Sequence, residues 1–165
     1  MKKLSLTLLT AILMVVVALG AIFTYWWFDV PNERQMVNAA RIDDLETLKR
    51  IAAKGVSLDA QEQGMQGFTP LVASTLTPGT NVFFYLLSAG ANVNARDRMG
   101  ETALMTAVCL GDANLVKIKA LIDAGADVNA SNRGITILRT AEFGAQGGHP
   151  AVDTITLLKQ HGAKE

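Results

Sequence analysis

Apolar positions fall into two regimes along the chain. From Leu4 to Phe28 they run almost unbroken, 25 residues without a charge. Beyond Asp29 they come in short bursts, such as Phe83 to Leu87 and Val116 to Ile122, separated by polar and small residues. The first regime predicts a membrane segment, since about 20 apolar residues cross the hydrocarbon core of a bilayer. The second predicts short helices, each with one buried face, joined by turns.

The short bursts recur. Gly90-Ala91-Asn92-Val93-Asn94-Ala95 returns as Gly125-Ala126-Asp127-Val128-Asn129-Ala130, more loosely as Gly55-Val56-Ser57-Leu58-Asp59-Ala60, and in truncated form as Gly162-Ala163. The glycines lie 35, 35 and 37 residues apart. A second phrase interleaves with the first: Gly67-Phe68-Thr69-Pro70-Leu71, Gly100-Glu101-Thr102-Ala103-Leu104 and Gly134-Ile135-Thr136-Ile137-Leu138, at spacings of 33 and 34. Two phrases locked to one period are the signature of a repeat architecture.

Each phrase has a mechanical reading. Thr69, Thr102 and Thr136 stand where a helix should begin, and a threonine hydroxyl can accept from an otherwise orphaned backbone N–H. Pro70 follows at the first helical position, where its missing donor costs nothing. Gly90 and Gly125 follow apolar stretches and suit the left-handed residue that ends a helix. The predicted unit is turn, helix, short loop, helix.

With these phrases the chain resembles the ankyrin-repeat family, whose unit of about 33 residues carries a Thr-Pro-Leu-His phrase and a Gly-Ala-Asp-x-Asn-Ala phrase. The resemblance implies an all-α solenoid of about four helix-turn-helix units, preceded here by one N-terminal transmembrane helix. Residues 1–28 would form the membrane anchor or uncleaved signal, 29–35 a linker, and 36–165 the repeat domain. Its units fall at about 36–66, 67–99, 100–133 and 134–165. The first unit is expected to open directly as a helix at Met36, with Asp43-Asp44 at the start of its second helix, stabilised there by the helix dipole. The chain departs from the family pattern in several places. The family's histidine is replaced by Val72, Met105 and Arg139, which removes its usual bonding between units. The third unit carries two extra residues around Val116 to Lys119. The fourth has a longer loop from Gly144 to Pro150, and Glu142 stands where the family has a small core residue.

The N-terminal segment has two readings. A cleaved signal peptide would use Lys2 and Lys3 as its positive start and Ala18-Leu19-Gly20 as its cleavage site. An uncleaved anchor would use the whole run, ending in Tyr25-Trp26-Trp27-Phe28, rings that favour the membrane–water interface. Cleavage after Gly20 would leave an apolar octapeptide as a free terminus, which favours the anchor. Lys2 and Lys3 precede the span, whereas Asp29 and Glu33 follow it. Positive residues stay on the cytoplasmic side, so the repeats are expected at the periplasmic or outer face of the inner (plasma) membrane.

Charge removes one class of partner. Basic and acidic residues number 15 each, with no clustered basic footprint of the kind nucleic-acid binders carry. The single cysteine, Cys109, cannot form an internal disulfide, so packing must hold the fold. No nucleotide loop, spaced Cys/His metal set or serine elbow is present in the sequence. His149 and His161, the only histidines, suit a loop and a helix end. The sequence thus points to no enzyme, no cofactor, no metal and no small-molecule substrate.

By resemblance, ankyrin stacks bind other proteins through their hairpin tips and the surface lined by their first helices. Mapped onto this chain, the tips present Met65, Gln66, Arg96, Arg98, Met99, Asn132 and Arg133. The first-helix face presents Arg41, Ile42, Leu76, Cys109, Leu110 and Phe143. The expectation is a bacterial, membrane-anchored protein that binds or occludes a partner protein, as in toxin immunity. The alternative is a scaffold or helper that tethers or stabilises a periplasmic enzyme, for example in oxidative-stress defence.

Overall fold

Each of the last three units enters its first helix at a threonine. Thr69, Thr102 and Thr136 are extended, and their hydroxyls accept from the backbone N–H of Val72, Met105 and Arg139. All three bonds are 3.3 Å long. Pro70 occupies the first turn of its helix, as its fixed φ and missing donor allow.

The computed structural model describes residues 32–164. The anticipated membrane span, 4–28, lies outside the described residues. Among those described, no helix is long and apolar enough to cross a membrane. Eight α-helices follow in order: α1 (Asn32–Arg41), α2 (Leu45–Ala52), α3 (Pro70–Thr75), α4 (Asn81–Ser88), α5 (Ala103–Cys109), α6 (Leu115–Asp123), α7 (Ile137–Gln146) and α8 (Val152–Gln160). A 3-10 turn, Gly111–Asn114, precedes α6. Between α6 and α7 the two-residue strands β1 (Ser131–Asn132) and β2 (Ile135–Thr136) pair antiparallel, Ser131 opposite Thr136. The helix α1 begins at Asn32, so residues 32–35, anticipated as linker, are its first turn.

The first helices α1, α3, α5 and α7 stack in sequence order, and each second helix lies beside the first helix of its own unit. One apolar core runs through all of them, from Met36 and Val37 to Ile137 and Leu158. The middle first helices are almost wholly interior: every residue of Pro70–Thr75 is buried, and so is Ala103 to Val108. Polar residues inside that stack answer themselves. The Ser74 and Thr75 hydroxyls donate to the Leu71 and Val72 carbonyls at 2.7 Å, and the Thr106 hydroxyl donates to Thr102. This all-α repeat solenoid matches the expected fold, with the short hairpin ladder added at the tips.

The helix ends explain the Gly-Ala phrase. Gly90 and Gly125 have φ of 83° and 88°, the left-handed region. Their N–H groups donate to Leu87 and Ile122, and the following Ala91 and Ala126 donate to Leu86 and Leu121. This double closure is the Schellman motif. The alanine after each glycine is buried, so the phrase needs a small residue there.

One expectation needs correction, and another gains a structural counterpart. Of the acidic pair, Asp44 alone caps its own second helix, accepting from Thr47 N–H at 3.0 Å. Asp43 has φ of 58° and reaches the next unit instead. Its Oδ1 accepts from Val82 N–H at 2.8 Å, and its Oδ2 from the Asn81 side chain at 2.8 Å. The helix α4 has no side-chain cap of its own, so the first unit supplies it. The fourth unit repeats the device. Its helix α8 also lacks a local cap, and Asp112 of the third unit accepts from the Thr154 N–H and hydroxyl, both at 2.9 Å. Burial pushes the Asp112 carboxyl up, but these bonds outweigh it and hold the group below its ordinary value.

The missing histidines are the second. The positions that replace them, Val72 and Met105, are interior apolar residues, and Arg139 is exposed. The bonding between units comes from the other phrase. Asp59 accepts from Asn92 N–H, Asn94 from Asp127 N–H, and Asn129 from Lys164 N–H, at 2.8, 2.9 and 2.9 Å. Asn94 and Asn129 also donate onward, to the Gly125 and Gly162 carbonyls.

Candidate functional site

Two edges of the stack carry the residues singled out in the sequence, and they differ. At the hairpin tips Arg96 and Arg98 are occupied. Arg96 donates to the Gly100 carbonyl at 2.6 Å and the Ser131 carbonyl at 3.1 Å. Arg98 donates to the Gly64 carbonyl of the preceding unit at 2.9 Å, and Asn132 to the Met99 carbonyl at 3.0 Å. Each tip is therefore stitched to its neighbour. Arg133 sits exposed in the turn between β1 and β2 with φ of 50°. Met65 and Met99 are the exposed apolar tip residues.

The first-helix edge is apolar and open. Ile42 is 72 % exposed, Leu76 41 % and Phe143 47 %, and Cys109 is an exposed free thiol. Leu76, Cys109 and Phe143 stand at equivalent places, each seven residues after its capping threonine, and Ile42 directly follows the end of α1. Arg41 lies beside Ile42, its guanidinium 3.4 Å from Glu62 and stacked over the Phe68 ring. Arg139 lies likewise over Phe143. Leu110 is placed differently. It is half-buried in a crevice of about 200 Å³ formed with Leu76, Pro78, Asn114 and His149.

Across the first three units lies a wider groove of about 560 Å³, lined by Arg41, Gln66, Phe68, Leu76, Asp97, Met99, Glu101 and Thr106. It joins the two edges, drawing Leu76 from one and Met99 from the other. Four of its lining residues, Phe68, Asp97, Glu101 and Thr106, were not anticipated. The sequence places Asp97 inside the short charge run 96–98, which reads as solvated, yet the residue is buried. The signal that could have found it is its position three residues ahead of Gly100, where a carboxylate can accept from the turn.

Another interior polar group was hidden by the insertion in the third unit. Lys117 is 2 % exposed. Its ammonium donates to the Ser74 carbonyl at 2.7 Å and to the Thr77 carbonyl, and lies over the Phe83 ring. Asn114 donates to the Thr75 carbonyl at 2.9 Å. Burial pushes the Lys117 pKa down, against the opposing charge of Asp43. These residues hold the loop of the second unit, so their role is structural.

Candidate chemistry is sparse. Among the described residues no group of three or more His, Cys, Asp or Glu side chains could hold a metal ion. His149 is exposed at the rim of the Leu110 crevice, and His161 is exposed at the end of α8. The stack thus presents apolar side chains along one edge. The family described as ankyrin repeats (3 copies) matches residues 36–132 and, in a second register, 73–164. The chain belongs to that family. Interaction with another protein is the general activity that such repeats support.

Proposed function

We propose that this protein is a membrane-anchored ankyrin module that binds a partner protein outside the cytoplasm and acts by holding or occluding it. The observation that carries the reading is the row Ile42, Leu76, Cys109 and Phe143, exposed apolar groups repeated once per unit. A contiguous apolar surface rimmed by polar residues marks a binding site. The uncharged run Leu4 to Phe28, with Lys2 and Lys3 ahead of it and Asp29 behind, supports the anchor and its orientation. Occlusion of a toxin at the membrane is one concrete form of this role.

The test uses the full chain in its native membrane. A photoreactive residue is placed in turn at positions 76, 143 and 65. One common partner captured from 76 and 143, but not from 65, supports the first-helix face. Capture from 65 alone, or from none of them, would sink it. Resistance of the chain to alkaline carbonate extraction checks the anchor, and release in carbonate overturns it.

A further inference from the structure

Asp97, which lines the groove across the first three units, carries one polar atom that the fold leaves unanswered. Asp97 is 5 % exposed. Its Oδ1 accepts from the Glu101 N–H at 2.9 Å, whereas its Oδ2 is buried and has no hydrogen-bond partner among the described residues. Leaving a buried carboxylate oxygen without a donor is costly, because the hydration lost on folding is not replaced. Glu101 lines the same groove. Its carboxyl is held above the ordinary value, first by burial and then by the charge of Asp97, with Arg133 opposing.

Arg133 acts on Glu101, and the other neighbouring cations are engaged elsewhere. Arg41 is engaged with Glu62 and the Phe68 ring. Arg96 and Arg98 donate to backbone carbonyls. The recess is lined by two carboxylates together with Phe68, Leu76 and Met99, and by Arg41, whose guanidinium is committed to Glu62 and Phe68. Lysine and arginine match this division, since each carries a cationic tip on an apolar stem.

We infer that this groove receives a lysine or arginine side chain of the partner protein, its cation against Asp97 and Glu101 and its methylene stem along Phe68, Leu76 and Met99. The inference rests on the binding face proposed above and adds the chemistry of what docks there. The apolar row supplies area, and the groove supplies the charge that fixes register. A partner with a neutral apolar residue at this point would bury Asp97 further and lose affinity.

The experiment titrates the full chain in detergent micelles with N-acetyl-arginine amide, N-acetyl-lysine amide and N-acetyl-norleucine amide. The readouts are the Met99 methyl and Asp97 carboxyl NMR signals. The two cationic probes should shift both signals saturably and more weakly as salt is raised, and the norleucine probe should not. Asp97→Asn keeps the acceptor for the Glu101 N–H and should weaken the cationic probes about tenfold, the effect of one charge-assisted bond. Its methyl spectrum reports whether it folds, and Glu101→Gln carries the same test from an exposed position. Equal shifts from norleucine, unchanged affinity in either folded variant, or no shift from any probe would overturn the inference. Cross-links retained at positions 76 and 143 alongside such a failure would leave the binding face standing. Absent cross-links with probe binding intact would remove the face and keep the groove.

Discussion

The hairpin tips and the first-helix edge invert the usual expectation about which exposed residues are available. The tips carry the charges, yet Arg96, Arg98 and Asn132 spend their donors on carbonyls of neighbouring hairpins. The first-helix edge carries few charges, and its apolar side chains keep much of their surface open. Charge in contact with solvent can be fully committed to the fold, whereas an exposed leucine or phenylalanine repeated in register stays unspent. The row depends on the stacking of the units, which the bonds between hairpins help to hold.

That dependence can be broken at several points. The largest effect is expected from Gly144→Val, because a Cβ at this glycine would lie 2.6 Å from the Cys109 carbonyl oxygen. Overpacking against backbone should cost about 3 kcal/mol, visible in urea unfolding, and should displace Phe143 from the row. An unchanged midpoint would show that α7 does not rest on α5 there. Asn94→Ala comes next. It deletes an acceptor and a donor between units and should cost about 2 kcal/mol, whereas Asn94→Asp keeps the acceptor and should cost less.

Acid sharpens the same point through Asp112. Its folded carboxyl is held below the usual value of 3.8, so its contribution is complete above that value and is lost as pH falls through the lower one. The stability gap between the wild type and Asp112→Asn should therefore be open near neutrality and close in acid. A gap constant with pH would contradict the capping role. Arg98→Ala, which frees the Gly64 carbonyl, should cost about 1 kcal/mol. If tips only build and do not bind, partner capture by the folded variant stays the same. The smallest stability effect belongs to Leu76→Arg, within about 0.5 kcal/mol at an open position, together with loss of capture. Leu110→Arg should lower the melting temperature first, since Leu110 is half-buried in its crevice.

What could be read in the sequence was local. A threonine cap, a proline in the first turn and a left-handed glycine act over three or four residues, and all were placed correctly. Bonds between units were not legible, because their partners lie about one repeat apart. Nothing near Asp43 shows that it serves Asn81 and Val82. Lys117 reads as a surface lysine in an inserted stretch, until the 3-10 turn carries it beneath the loop of the second unit. The loss of the family's histidines suggested weaker bonding between units. The bonding had moved to Asp59, Asn94 and Asn129, residues of a phrase first read only as a helix ending. The first-helix row was visible as composition, but its separation from Leu110 needed the coordinates.

The capping of one unit by another also bears on the order in which the chain leaves the ribosome. Asp43 emerges well before its client, for Val82 follows 39 residues later. Until then its carboxylate faces water, and α1 and α2 have no second layer on which to close. The loop of the second unit waits in turn for Lys117, a further 40 residues beyond Thr77. Synthesis therefore delivers each unit incomplete, with the finishing group carried either by a unit already made or by one still to come. Arrest of translation just before Asn114 should leave the second unit open to a protease, and extension past Lys119 should close it.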